Sequence, residues 1–105
     1  MHKENLVKQL SLMATLLCVA VGVGAQASAD VASTYQKSCA ACHDSGNLSA
    51  PKKGDTQVWQ KLKTQKGMDG LVKSTRQGMP QMPAMGLCQT CSDKEFAELI
   101  DYMSK

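Results

Sequence analysis

The last segment of the chain has the clearest pattern of hydrophobic and polar positions. Ser92 and Glu95 form an S-x-x-E capping box. Apolar residues follow at i, i+3, i+4 and i+7, namely Phe96, Leu99, Ile100 and Met103. This spacing predicts an amphipathic helix whose apolar stripe must pack against another element. A first helix is predicted from a cap at Asp30 to Ser38, with Tyr35 on its apolar face, and we expect these two helices to pack together.

The middle of the chain is less regular. Residues 44–55 are rich in turn formers and have no apolar period, which predicts a loop. Residues 56–63 predict a short helix that Gly67 closes, and Asp69 is the predicted cap of a further helix. Residues 78–86, the methionine loop, contain two prolines among three methionines, which excludes regular helix or a central strand. Because no strand pattern is found, the predicted fold class is all-α.

The N-terminal residues have the pattern of an export signal. Lys3 and Lys8 are followed by a charge-free apolar run over residues 10–24 and then by small residues at cleavage spacing. We place the cleavage after Ala29, so that residues 1–29 are a signal peptide and residues 30–105 a single domain. Cleavage before Ser28 and an uncleaved anchor are the alternatives. The apolar run is short for a membrane span, so no stable membrane insertion is expected after cleavage.

Cys39, Cys42 and His43 form the motif C-x-x-C-H, which is typical of covalent attachment of a c-type haem. Two thiols at this spacing can bond to the two vinyl groups of one haem when the turn between them is helical. The histidine is then placed to bind the iron. One covalent haem c, held through Cys39 and Cys42, is therefore predicted. A backbone carbonyl should fix the other ring nitrogen of His43, and Pro51 is the candidate.

The methionine loop offers candidates for the sixth iron ligand. His43 is the only histidine after residue 29, so this ligand would be methionine, lysine, water or nothing. We choose Met82 because Pro83 stiffens the chain directly after it, and Met79 is the second candidate. A thioether favours ferrous iron and denies oxygen and peroxide a site on the metal. Together with Met85, the same thioethers could instead form a copper(I) site.

A second C-x-x-C pair, Cys88 and Cys91, precedes the final helix. Export to an oxidising compartment favours a disulfide within this pair, which would brace the methionine loop. Zinc bound by all four cysteines and a redox-active dithiol are the alternatives. The two pairs are farther apart than in the usual zinc pattern, and no βαβ pattern surrounds the second pair.

Composition and charge narrow the function further. The chain has 12 basic and 9 acidic residues and a formal net charge of +3. Haem propionates would offset so small an excess, so a nucleic-acid partner is not expected. One Trp, two Tyr and one Phe are few for a core, so a domain of this size needs the haem as part of its interior. The mid-chain lysines are either solvated surface or a rim that steers acidic redox partners.

Taken together, these segments resemble the class I cytochromes c, and in particular the cytochrome c5 group. The resemblance is carried by residues 35–43, 50–55, 81–88 and 91–93 and by Trp59, and the second cysteine pair is its most specific mark. It implies a small cytochrome c fold in which the N- and C-terminal helices cross around one covalently bound haem with an exposed edge. It also implies iron ligation by Met82 and a haem contact by Trp59. Met85 and Leu87 stand where the family commonly has lysine and glycine, which predicts a stiffer loop and a less basic surface.

The predicted function is that of a soluble periplasmic one-electron carrier between respiratory redox partners, with no enzymatic activity. Its contacts with these partners should be transient, and the protein should be a monomer or a weak dimer. The main alternative is a haem enzyme or ligand-sensing subunit with an open sixth coordination position. A structural zinc module is the second alternative.

Overall fold

The structure is a computed structural model that describes the backbone of residues 26–105 and the side chains of residues 30–105. Its helices are α1 (Gln26–Ser38), α2 (Ala40–His43), α3 (Thr56–Gln77) and α4 (Asp93–Met103), with a 3-10 turn at Asn47–Ser49. The described part of the chain has no strand, which confirms the all-α prediction. The predicted signal peptide lies outside the described residues, except for the backbone of residues 26–29.

The start of α4 is fixed by the predicted capping box. Ser92 Oγ accepts a hydrogen bond from Glu95 N at 3.2 Å, and Glu95 Oε2 accepts one from Ser92 N at 3.2 Å. These bonds satisfy two backbone N–H groups that have no partner within the helix. The stripe is buried along its whole length, at Phe96, Leu99, Ile100 and Met103. The predicted C-terminal helix is therefore confirmed.

The core forms where α4 packs on both α1 and α3. Tyr35 of α1 is fully buried, and its ring centroid lies 5.3 Å from that of Tyr102 in α4. From α3, the buried residues are Trp59, Leu71 and Val72. The predicted packing of the first helix on the last is confirmed. Burial of each such side chain stabilises the fold by about 1.5–3 kcal/mol.

Two helix boundaries differ from the prediction. The described part of α1 includes residues 26–29 before the predicted cap at Asp30, because Ala27 and Ala29 favour helix and no breaker separates them. Cleavage after Ala29 would leave Asp30 as the first residue of this helix. The two helices predicted between residues 56 and 77 form one element, α3, with a break at Gly67, where φ is 69° and ψ is 167°. Only this residue departs from helical geometry, so the first half of α3 runs past residue 63 to residue 66.

The methionine loop contains no regular helix or strand, as predicted. Its only pairing of the strand type is an isolated bridge between Met79 and Met82. Between residues 26 and 105, no helix has both the length and the apolar character required to cross a bilayer.

Candidate functional site

A cavity of about 450 Å³ lies between the C-x-x-C-H motif at residues 39–43, called the haem motif below, and α3, α4 and the methionine loop. It brings together all six residues predicted to hold the cofactor, namely Cys39, Cys42, His43, Pro51, Trp59 and Met82. Met79 and Met85 also line it. The volume is in the range of sites that bury a small organic molecule.

The two thiols lie on a single helical turn. Cys39 joins α1 to α2, and its carbonyl accepts hydrogen bonds from Cys42 N at 3.2 Å and from His43 N at 3.0 Å. Both thiols are free and half-buried beside the cavity. Burial raises the pKa of the Cys39 thiol to about 11, so it is a neutral thiol at pH 7. This is the opposite of the lowered pKa that marks a redox-active C-x-x-C pair.

His43 ends α2 and is buried, with 7% of its surface exposed. Its Nδ1 donates a hydrogen bond to the Pro51 carbonyl oxygen at 2.7 Å. A carbonyl can only accept, so Nδ1 carries a proton, and in the neutral imidazole the lone pair that a metal needs then lies on Nε2. The structure thus places the Pro51 carbonyl where the sequence predicted it.

Trp59 has a role that the sequence did not indicate. The indole is 4% exposed, and its centroid lies 6.0 Å from that of the His43 ring. Its Nε1 donates a hydrogen bond to the Lys52 carbonyl oxygen at 2.8 Å, next to the carbonyl that fixes His43. A buried indole N–H requires an acceptor, so the sequence could have predicted that Trp59 makes a hydrogen bond but not which carbonyl accepts it.

Two tight turns shape the methionine loop around Met82. Met79 N donates to the Met82 carbonyl at 2.9 Å, and Met82 N donates to the Met79 carbonyl at 3.0 Å. Gly86 N then donates to the Pro83 carbonyl at 2.9 Å. The Met82 side chain is half-buried and its methyl carbon approaches Gly86, whereas Met79 is 44% exposed. Of the two candidate ligands, Met82 is therefore the more enclosed.

The methionine loop is fastened to α3. Directly after that helix, Gly78 has a φ of 81°, and a Cβ there would lie 2.8 Å from Ala84 N. Only glycine permits this approach of two backbone segments. Met85 N donates to the Thr75 carbonyl in α3 at 2.8 Å, although Met85 itself has a φ of 65°.

The second cysteine pair forms a disulfide in the structure, between Cys88 and Cys91, with Cα atoms 5.5 Å apart. Cys91 belongs to the hydrophobic core. Over the described residues, no three His, Cys, Asp or Glu side chains come together as a metal-binding group. This arrangement argues against the four-cysteine zinc site.

The sequence did not indicate a polar cluster that lies next to the haem motif. The Tyr35 hydroxyl donates a hydrogen bond to the Asp44 carboxylate, directly after His43 in the chain. Lys53 Nζ lies 5.6 Å from the Tyr35 ring centroid and 4.8 Å from that of Tyr102. Burial and the Asp44 carboxylate raise the pKa of the Tyr35 phenol well above its usual value, so it remains a donor. The cluster ties α1 and α4 to the haem motif.

The donor set fits a covalently attached haem. Two thiols on one helical turn, an imidazole with a free Nε2 lone pair and a soft thioether all line one largely apolar cavity. Thiols at this spacing match the vinyl groups of a haem, and imidazole with thioether is a ligand pair used for haem iron in electron carriers.

Comparison with known proteins gives a consistent family. The family described as "Cytochrome C oxidase, cbb3-type, subunit III" matches residues 26–103. Cytochrome c5 of Ectopseudomonas mendocina is 42% identical over 84 residues, which cover 79% of this chain and 93% of that protein. Cytochrome c-555 of Chlorobaculum tepidum is 33% identical over 97 residues, which cover 89% of each protein.

Solved structures give the same result. The mono-heme ferrocytochrome c from Shewanella putrefaciens has a TM-score of 0.64 and 39% identity, over 71% of this chain and 91% of that one. A chain from the crystal structure described as the electron transfer complex of nitrite reductase with cytochrome c has a TM-score of 0.61 and 32% identity, over 70% and 88%. The chain therefore belongs to the class I cytochromes c, is homologous to cytochrome c5 and binds one covalent haem c.

Proposed function

We propose that the chain is a periplasmic carrier of single electrons between respiratory redox proteins. Cys39 and Cys42 would hold the haem, with His43 and Met82 as the iron ligands. The observation that carries this proposal is the convergence of these four side chains on one apolar cavity. When bound, the haem supplies an iron that alternates between the ferrous and ferric states.

The histidine side of the site orients one ligand. The hydrogen bond from His43 Nδ1 to the Pro51 carbonyl fixes the ring plane and increases the basicity of Nε2. His43 follows Cys42 directly within α2. Covalent attachment through Cys42 would therefore place this imidazole close to the cofactor, and no other segment has to be ordered to bring the two together.

The methionine side of the site supports a carrier over an enzyme. A thioether from Met82 would fill the position that oxygen or peroxide requires and would favour the reduced metal. Met82 is half-buried, and two tight turns hold its part of the methionine loop in place. This arrangement favours an occupied sixth position. No bond to a substrate is then made.

The mouth of the cavity supports exchange with partner proteins. Leu48 and Leu87 line the cavity and are each 63% exposed, so an edge of the cofactor can be reached there. Exposed apolar side chains at the mouth of the cavity are consistent with a small, transient interface. The structural neighbour described as an electron transfer complex with nitrite reductase supports redox proteins as the partner class.

Export completes the proposal. Residues 1–29 would direct the chain to the periplasm and be removed there, so that the mature protein starts at Asp30. We propose that this mature protein is a monomer or a weak dimer. Mass spectrometry of the exported protein should give that N-terminus, whereas a start at Ser28 would identify the other cleavage site.

An absorption spectrum of the holoprotein tests the function. We expect a low-spin ferric spectrum with the far-red band of sulfur bound to iron, and a haem stain that survives a denaturing gel. A high-spin spectrum would instead indicate an open sixth position and favour the haem enzyme or sensor. A colourless exported protein from a host that attaches haem would refute both.

A matched pair of variants tests the ligand. Met82→Ala should abolish the far-red band, lower the reduction potential and let the ferrous protein bind carbon monoxide. Met79→Ala removes a thioether from the same turn and should change none of these. The reverse result would assign the ligand to Met79.

A further inference from the structure

The segment that carries Pro51 holds His43 by two hydrogen bonds. The Pro51 carbonyl accepts from His43 Nδ1 at 2.7 Å, and Lys53 N donates to the His43 carbonyl at 2.8 Å. We call residues 51–54 the clasp segment. One bond fixes the ring and the other fixes the backbone, so the position of the clasp segment determines the orientation of the imidazole.

The clasp segment is itself held at the residue between these two. The Lys52 carbonyl accepts from Trp59 Nε1 at 2.8 Å and from Asp55 N at 3.1 Å. At its end, Gly54 N donates to the Met103 carbonyl in α4 at 2.7 Å. The indole is the only side chain of the described residues that donates a hydrogen bond to the Lys52 carbonyl.

Trp59 is well placed to act as this anchor. It lies in the first turn of α3, where its own N donates to the Asp55 carbonyl at 3.1 Å, and it is almost completely buried. An indole N–H is only a donor, and leaving it without an acceptor inside the protein is costly. The bond to the Lys52 carbonyl is therefore strongly favoured.

We propose that Trp59 is a positioning residue for His43, in which the indole N–H fixes the Lys52 carbonyl and so holds the adjacent Pro51 carbonyl against Nδ1. A strong bond from Nδ1–H increases the electron donation of the imidazole and favours ferric iron, which lowers the reduction potential. The role rests on the proposed function only in that His43 is the iron ligand.

Trp59→Phe tests the proposal because it keeps an aromatic ring and removes the donor. In the reduced holoprotein, the solvent exchange of the His43 Nδ1 proton, followed by NMR, should be up to about tenfold faster, which corresponds to about 1.4 kcal/mol at 25 °C. The reduction potential should rise while the far-red sulfur band is retained.

Leu62→Ala is the packing control. Leu62 lies in the same helix, is half-buried and also lines the cavity, but its side chain has no donor that could hydrogen-bond the clasp segment. It should lower stability without accelerating exchange of the Nδ1 proton. An unchanged Nδ1 exchange rate and potential in Trp59→Phe, or the same acceleration in Leu62→Ala, would reduce Trp59 to a core residue and overturn the proposal.

If Trp59→Phe does not fold, hydrogen exchange in the native holoprotein tests the proposal instead. Under mild denaturant, the indole Nε1 proton and the His43 Nδ1 proton should become exchangeable with the same opening free energy, and independent opening would overturn the proposal. Failure of the proposed function is distinguishable, because His43 ring protons without a haem ring-current shift would show that His43 is not a ligand.

Discussion

Gly78 is the position at which one added methyl group should displace Met82. Its φ of 81° and ψ of 168° are a conformation that residues with a Cβ rarely adopt. A Cβ would lie 2.8 Å from Ala84 N, 3.0 Å from Ala84 Cα and 3.1 Å from the Met82 carbonyl oxygen. These are backbone atoms, which cannot rotate away as a side chain can. The methionine loop itself must therefore move in Gly78→Ala.

Gly67 provides a matched control for the conformational cost. Its φ of 69° and ψ of 167° are close to those of Gly78, yet a Cβ there would meet no atom within 4 Å. Gly67→Ala should lower the free energy of unfolding by the conformational cost alone, about 1–3 kcal/mol. Gly78→Ala adds the cost of overpacking, about 1–3 kcal/mol more. The difference between the two variants measures the crowding in the loop.

Urea unfolding of the two holoproteins gives this difference, and the far-red band reports whether sulfur remains bound to iron. We expect Gly67→Ala to keep the band and Gly78→Ala to lose it before global unfolding. Equal destabilisation of the two variants, with the band intact in both, would refute the argument that the close approach at Gly78 holds the loop in place.

The disulfide and the buried phenol give two further predictions. Serine at both Cys88 and Cys91 should lower the free energy of unfolding by about 1–2 kcal/mol, since the closed loop is very short; a stained gel should show unchanged haem attachment, and loss of haem would contradict a purely structural role. The pKa of Tyr35 is raised above its usual 10.0 by burial and by Asp44. The neutral phenol therefore contributes its full stability below that pH and loses it as the pH rises toward the folded-state pKa. Tyr35→Phe should flatten the loss of stability above about pH 10 in urea titrations, and an unchanged slope would exclude Tyr35 as its cause.

Features that depend on near neighbours in the chain were predictable from the sequence. The capping box spans Ser92 to Glu95, and the α4 stripe follows helical spacing, so both are determined by local geometry. The C-x-x-C-H motif likewise folds as one helical turn from Cys39 to His43. In these cases the residues in contact are only three or four positions apart, so their spacing in the sequence is enough to predict the contact.

Contacts between distant segments were not predictable in the same way. Gly78 reads as an ordinary turn residue, and its closeness to Ala84 depends on the path of the whole loop. Trp59 was expected to contact the haem, but its bond to the Lys52 carbonyl depends on how α3 meets the loop before it. Nothing in the spacing of Tyr35 and Asp44 indicates their hydrogen bond. Such contacts follow from the tertiary fold, which a single sequence pattern does not specify.

The two sides of the site are stabilised by different means, and this separates retention of the cofactor from control of its iron. Both thiols and His43 lie on one helical turn, and the clasp segment with buried Trp59 keeps that turn in place. Met82 lies on a more exposed loop that depends on two turns and the close approach at Gly78. Local stability follows burial and hydrogen bonding, so the histidine side is the more stable frame. A change in the methionine loop can therefore alter the proposed Met82 ligand while the proposed bonds to Cys39 and Cys42 keep the haem attached to the chain.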